Sequence, residues 1–270
     1  MAKPFEGMER FVELTHGKTR YFEKGTGEPV ILLHGAGFSQ GATTWYNQIE
    51  PFAEHFRVLA PDMLGWGVGD GVARHLAFPY FSAFVREFQD ALGLKSTHIV
   101  GHSLGGWVAQ IFAYESPNRV NKLVLLGAAG NHAHHIPPGL AKWEPPTKEQ
   151  IIERNNALPF ISEEDKAHLS ELEWQVVSTP GAAERYRQML EYMTFIEERE
   201  LYQTPRLWPH ITPETLVVSA TEDAGYPPEV GREMAETMPN ARQVVLEGGH
   251  YMINDNPKVT NDLVIEFLKG

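Results

Sequence analysis

The sequence predicts an α/β protein, a doubly wound and mostly parallel sheet with a helical segment inserted after the sixth strand. Three observations predict it. From residue 30 onward, short runs that are apolar on both faces alternate with stretches of helical periodicity, the pattern of a parallel sheet covered by helices on both sides. In the middle of the chain, Val100-Gly101-His102-Ser103-Leu104-Gly105-Gly106 sets a serine between two glycines at a strand-to-helix junction. From about Asn131 to Pro209, apolar residues recur at helical spacing and no β-rich run interrupts them. Residues 1–130 and 210–270 are therefore assigned to the sheet-and-helix core, and 131–209 to a helical cap.

The elements follow in order. Phe11–Leu14 and Arg20–Glu23 form two strands around a turn at His16-Gly17-Lys18, and Gly25–Pro29 is a second turn. Val30-Ile31-Leu32-Leu33 is a central strand, continuous in apolar residues, that runs into His34-Gly35-Ala36-Gly37. Phe56–Asp62 is the next strand, Phe78–Leu92 a helix closed by Gly93, and Thr97–Val100 the strand that leads to Ser103. Trp107–Tyr114 continues as a helix until Pro117 stops it, and Lys122–Leu126 is a further strand. In the insertion, Ile151, Ile152, Leu158, Leu169, Leu172, Trp174, Tyr186, Met189, Leu190 and Met193 mark apolar helix faces. Turns fall at Pro137-Pro138, Pro145-Pro146 and Thr179-Pro180-Gly181. The sheet resumes at Thr215–Ser219, a helix runs from Pro228 to Met238, Ala241–Leu246 is the last strand, and a final helix starts near Pro257.

The chemistry is legible at the carboxyl ends of these strands, where open α/β sheets bind ligands. Ser103 sits on a turn so tight that side chains at Gly101 and Gly105 would collide with the neighbouring strand and helix. The helix after it aims its amino end at the serine, leaving the Leu104 N–H free to hold a developing oxyanion. The loop from Gly35 to Thr44 is rich in small residues, and the Ala36 N–H is the expected second donor. A serine hydroxyl needs a base, and the base needs a carboxylate to set its tautomer and stabilise its cation. Asp223 and His250 follow Ser103 in that order, each just past a strand. Glu222 competes with Asp223, and the paired proline beyond Gly225-Tyr226 favours Asp223 as the turn residue. His34 is expected to brace the Gly35–Gly37 loop, and His102 to pack in the elbow rather than act as a second base. With Gly35, Gly37, Trp66 and Tyr251 they are expected to line the substrate pocket.

Composition narrows the function classes. The chain has 270 residues, 42% of them hydrophobic and 21% charged, enough for one large core. A formal net charge of −12 and the lack of any basic run argue against nucleic acid as a partner. With no cysteine, disulfides, thiolate chemistry and Cys-based metal sites are excluded. Of the 12 histidines, His132, His134 and His135 cluster without a nearby carboxylate and are expected to be open loop residues rather than a metal site. The amino terminus has no apolar leader-like run and no stretch is long enough to span a bilayer, so a cytoplasmic enzyme without membrane contact, cofactor or metal is expected. Its partner is a small-molecule substrate, and a homodimer is compatible with the sequence.

Together, His34-Gly35-Ala36-Gly37, Gly101-His102-Ser103-Leu104-Gly105, Asp223 and Gly249-His250 resemble the α/β-hydrolase superfamily from residue 9 onward. Within it, the first motif with Gly41-Ala42-Thr43-Thr44-Trp45, and Pro61-Asp62-Met63-Leu64-Gly65-Trp66-Gly67, are similar to the meta-cleavage-product hydrolases. Those enzymes cut a C–C bond in vinylogous 1,5-diketones derived from aromatic ring fission. That family usually has Asn and Met around its serine, Trp after its histidine and a cap arginine for the substrate carboxylate. Here His102, Leu104 and Tyr251 stand at the first three places, and Glu173-Trp174 falls near the fourth. The elbow is more like that of esterases and lactonases. These departures favour a serine hydrolase of small, largely apolar esters or lactones acting through an acyl-serine, with neutral substrates outcompeting anionic dienoates. C–C bond hydrolysis is the alternative, for which Arg185 or Arg187 would be the first place to look for a cation among Lys142, Lys148, Arg154, Lys166, Arg185, Arg187 and Arg199. The resemblance also admits a triad-bearing ligand receptor with little turnover, or a cofactor-free perhydrolase side activity.

Overall fold

Strand periodicity divides the apolar residues between two layers. In β3 (Pro29–Leu33), Val30 and Leu32 join one buried cluster while Ile31 and Leu33 join the other. The same split recurs in β5 (Thr97–His102), with Val100 on one side and Ile99 on the other, and in β6 (Val120–Leu126), with Val124 and Leu126 against Leu123 and Leu125. A sheet apolar on both faces must be covered on both, and it is. The computed structural model describes residues 5–70, 77–136, 140, 143–158 and 162–270. The expected turn at Pro137-Pro138 and the candidate cation Lys142 lie outside them.

The sheet has eight strands in the order β1-β2-β4-β3-β5-β6-β7-β8, where β1 is Glu9–Leu14, β2 Gly17–Lys24, β4 Arg57–Pro61, β7 Glu214–Ala220 and β8 Ala241–Leu246. From β4 to β8 all neighbours are parallel. The first two strands are antiparallel, β1 to β2 and β2 to β4, which makes the sheet mixed at that edge. Phe81, Phe84, Val85 and Phe88 of α2 (Phe78–Ala91) and Trp107, Val108, Ile111 and Phe112 of α3 (Leu104–Glu115) fill one layer. Ile49 and Phe52 of α1 (Ile49–Ala53), with Val264, Phe267 and Leu268 near the carboxyl terminus, fill the other.

Between β6 and β7 the described chain is helical. α4 (Lys148–Asn156) begins at a capping box, in which Thr147 Oγ1 accepts from the Gln150 N–H and Gln150 Oε1 accepts from the Thr147 N–H. α5 (Glu163–Ser178) is capped by Ser162, and α6 (Ala182–Met193) starts after Gly181, whose φ of +77° follows from the turn at Thr179-Pro180. α7 (Ile196–Leu201) closes the segment. α6 turns Tyr186, Met189, Leu190 and Met193 into the same cluster as α2 and α3, so the insertion is packed onto the sheet layer. After β7 come α8 (Pro228–Thr237), then β8, the single-turn α9 (Met252–Asp255) and α10 (Pro257–Lys269). Among the described residues, no helix is long and apolar enough to cross a membrane.

Candidate active site

Strand ends bring the distant sequence candidates together. Ser103 follows β5 with φ 53° and ψ −115°, a strained left-handed turn for a residue with a side chain. The flanking glycines make that turn possible. A Cβ at Gly105 would lie 2.0 Å from the Leu33 carbonyl oxygen of β3, and one at Gly101 would lie 2.5 Å from the Gly105 carbonyl oxygen. The turn is tied to β6 on both sides, because the Ser103 N–H donates to Leu126 O (3.0 Å) and the Ala129 N–H donates to Ser103 O (3.0 Å).

Asp223, after β7, meets His250, after β8. His250 Nδ1 lies 2.7 Å from Asp223 Oδ2, while Asp223 Oδ1 accepts the N–H groups of Gly225 and Tyr226, each at 3.0 Å. Burial pushes the Asp223 carboxyl up, but the His250 ring and these two N–H donors outweigh it and hold the carboxyl below its usual range. Glu222, the competing carboxylate, faces solvent. The His250 ring packs against Tyr226 at 5.3 Å and against His102 at 4.9 Å, which sets it beside the elbow. Among the described residues Ser103 Oγ has no hydrogen-bond partner, so the step from Ser103 to His250 stands open.

The two N–H groups expected to hold an oxyanion, those of Ala36 and Leu104, donate to no protein acceptor among the described residues. Leu104 is the first residue of α3, where the helix leaves its N–H unpaired. An arrangement of a strained serine, a carboxylate-paired imidazole and two unspent N–H groups can add an oxygen nucleophile to a carbonyl and hold the resulting charge.

Three side chains expected to line the pocket, those of His34, Trp66 and His102, are buried. His34 is fully buried: its Nδ1–H donates to Gly35 O at 2.7 Å and its Nε2 accepts the Met63 N–H at 2.9 Å. With both nitrogens engaged and burial lowering its pKa to about 4, it is a neutral brace for the loop. Trp66 is also buried, donating Nε1–H to Gly37 O at 3.1 Å. His102 donates from Nε2 to the carbonyl oxygen of His250 at 2.9 Å, and burial brings its pKa down to about 3. His34 and Trp66 find a backbone partner for every polar ring atom, and His102 does so through Nε2, while its buried Nδ1 has no partner among the described residues. Gly35 and Gly37 are partly exposed, and Tyr251 is exposed beside His102 and His250.

Of the loop histidines, His132 and His134 are exposed, as expected, and His135 is half-buried. His134 is exposed and faces Glu200 at 3.2 Å, whereas His135 packs on Tyr226 at 5.4 Å, beside the Asp223 turn. Among the described residues no group of three His, Asp or Glu side chains is placed to hold a metal ion.

The cations of the insertion divide sharply. Lys148 pairs with Glu171, Lys166 with Glu163 and Arg187 with Glu184, while Arg185 donates to Pro180 O. Arg199 is buried and spends its donors on the carbonyls of Ala133, His135 and Met193. Arg154 is the one of these six that reaches the loop after β3, so the place to look for a cation is α4 rather than Arg185 or Arg187. Its Nη2 lies 3.2 Å from Ser39 Oγ, two residues past the Gly37 loop, and it forms an ion pair with buried Glu173. Its charge also acts on the Tyr251 phenol, next to His250. A second pair missed from sequence is Arg20 with Asp62 (2.7 Å), both buried, where Asp62 Oδ1 also accepts the Ala42 N–H at 2.9 Å. An arginine in the middle of a strand was its only sequence signal.

Residues 30–263 match the model of the alpha/beta hydrolase family. This chain belongs to that family. The hydrolase is 30% identical, over 97% of its length and 96% of the relative's, to the 2-hydroxy-6-oxononadienedioate/2-hydroxy-6-oxononatrienedioate hydrolase of Cupriavidus pinatubonensis. It is 26% identical, over 92% of both chains, to the (E)-2-((N-methylformamido)methylene)succinate hydrolase of Acinetobacter baylyi. Its fold is similar to that of the 2-hydroxy-6-oxo-6-phenylhexa-2,4-dienoate hydrolase from Rhodococcus sp. strain RHA1, with a TM-score of 0.81 at 22% identity, covering 97% of this chain and 98% of that one. The hydrolase is therefore an enzyme.

Proposed function

We propose that this hydrolase cleaves a C–C bond in a carboxylate-bearing, conjugated carbonyl substrate, as the meta-cleavage-product hydrolases do. The observation that carries the proposal is the Arg154 guanidinium held over Ser39 at the edge of the Gly35–Gly37 loop. A substrate carboxylate brought into such a pocket without a cation would cost several kcal/mol, and a guanidinium offsets that cost through charge-assisted hydrogen bonds. The named substrates of the two relatives above, a dienedioate and a succinate, are carboxylates.

In the proposed reaction, His250 takes the proton of Ser103 as its Oγ adds to the carbonyl carbon, and Asp223 stabilises the imidazolium. The Ala36 and Leu104 N–H groups hold the oxyanion. Collapse breaks the C–C bond, its electrons pass into the conjugated chain, and the carbon takes the proton from His250. Water, deprotonated by His250, then releases the acid from Ser103. Water is consumed, and one carboxylic acid and one shortened unsaturated acid are formed.

One observation favours a second reading, hydrolysis of a neutral ester or lactone. Glu173 already sits on Arg154, leaving little net charge for a substrate anion. The two readings separate in kcat/KM for a ring-fission dienoate, followed by bleaching of its visible band, against a neutral aryl ester. The dienoate is expected to be preferred by at least about tenfold, near 1.4 kcal/mol in the transition state, and Arg154→Met to erase that preference through KM. A tenfold preference for the ester, indifferent to Arg154→Met, would establish the second reading.

A further inference from the structure

Three consecutive carbonyls of the loop after β3 are each held by a different ring. Gly35 O accepts from His34 Nδ1–H at 2.7 Å, Ala36 O accepts from the Tyr186 hydroxyl, and Gly37 O accepts from Trp66 Nε1–H at 3.1 Å. A trans peptide sends its C=O and N–H in opposite directions, so fixing the Gly35 carbonyl also aims the Ala36 N–H. Fixing the Ala36 carbonyl sets the plane of the next peptide. With both planes held, neither backbone dihedral of Ala36 is free.

His34 belongs to the loop itself and Trp66 to the loop after β4. Tyr186 comes from α6, 150 residues away and part of the inserted segment. It is 1% exposed, and its ring packs on Trp143 at 4.6 Å, Phe38 at 4.8 Å and Trp66 at 5.7 Å. Every one of those contacts would serve a phenylalanine equally well. The hydroxyl is the exception, since a buried O–H must find an acceptor. Burial pushes the Tyr186 phenol up, so it remains a donor throughout the working pH range.

We infer that Tyr186 is a positioning residue that couples the oxyanion donor to the inserted helix: His34 sets the peptide that carries the Ala36 N–H, and the Tyr186 hydroxyl fixes the peptide that follows, so Ala36 is held on both sides only while α6 is seated on the loop. The inference rests on the proposed role of Ala36. It assigns the insertion a part in transition-state stabilisation, apart from any contact with substrate. With α6 displaced, the Ala36–Gly37 peptide loses its one hydrogen bond to the insertion and is free to turn.

The test is Tyr186→Phe, which removes one oxygen and keeps the ring. Loss of a whole oxyanion donor costs about 10²–10³-fold in kcat, and a donor left in place but loosely aimed is expected to cost about 10- to 100-fold, with KM changed less than about threefold. A boronic acid that forms a tetrahedral adduct on Ser103 should lose affinity by the same factor as kcat, while the product carboxylate should bind as before. Wild-type kcat and boronate affinity in Tyr186→Phe would overturn the inference. So would parallel losses of boronate and product binding with a lowered Tm, the mark of a purely structural role. Ser103→Ala, run alongside, separates the two failures. Turnover retained there overturns the site and the inference with it, whereas turnover lost there beside an unaltered Tyr186→Phe overturns the inference alone.

Discussion

Glu173 on α5 is buried against the guanidinium of Arg154 on α4, with Ser39 Oγ within 3.4 Å of the carboxylate and 3.2 Å of the guanidinium. The pair is lopsided: the Glu173 side chain is 1% exposed and that of Arg154 is 40% exposed. The carboxylate therefore bears most of the desolvation, and burial pushes its pKa up to about 7 despite the opposing charge of Arg154 and hydrogen bonds from Asn155 and Ser39.

A carboxyl raised in the folded state binds its proton more tightly there than in the unfolded chain. Stability from this group is then fully present below the ordinary carboxylate range and falls as pH rises through about 7. Glu173→Gln cannot titrate, so its Tm should gain on the wild type between pH 5 and pH 8, by a few degrees for a change on the order of 1–3 kcal/mol. Parallel Tm profiles across that range would show that Glu173 does not take up a proton on folding.

The proposed acid member of the triad is tested by neighbouring carboxylates. Asp223→Asn should lower kcat by about 10⁴-fold by favouring the wrong His250 tautomer, while Glu222→Gln, at an exposed position, should leave kcat within about twofold. Equal losses in the two variants would mean that the Asp223–His250 hydrogen bond is not the one that matters.

Arg20 and Asp62 carry a stability prediction. Asp62→Ala strands a buried guanidinium and removes the acceptor for the Ala42 N–H, at a cost of about 3–5 kcal/mol. Replacing both partners, Arg20→Met with Asp62→Leu, should recover much of that loss, because no charge is then left buried. Urea titration of both variants checks the order. A double variant less stable than Asp62→Ala would contradict it.

Much of the fold and the core of the site were legible in the chain because they rest on short-range physics. Alternating apolar runs place strands between helices wherever they occur. The crowding at Gly101 and Gly105 is decided within a few residues of Ser103, and the order Ser103, Asp223, His250 follows from strand ends along the chain. His34 as a brace was legible for the same reason, since its main partner is the adjacent Gly35.

Other features depend on which distant segments the sheet brings together, and no local pattern records that. The order β1-β2-β4-β3 and the antiparallel edge come from pairings across the chain. The seven candidate cations look alike as sequence, yet only the packing of α4 on α5 turns Arg154 toward Ser39 and buries Glu173 beside it. Tyr186 fits its helix as one more apolar position. Only when α6 lies on the loop after β3 does its hydroxyl, a group that burial forbids to stay unpaired, find the Ala36 carbonyl. The sequence determined which groups exist and which strands present them. The tertiary structure decided which buried polar atoms meet, because a hydrogen bond or ion pair removed from water is set by distance in space, not by separation along the chain.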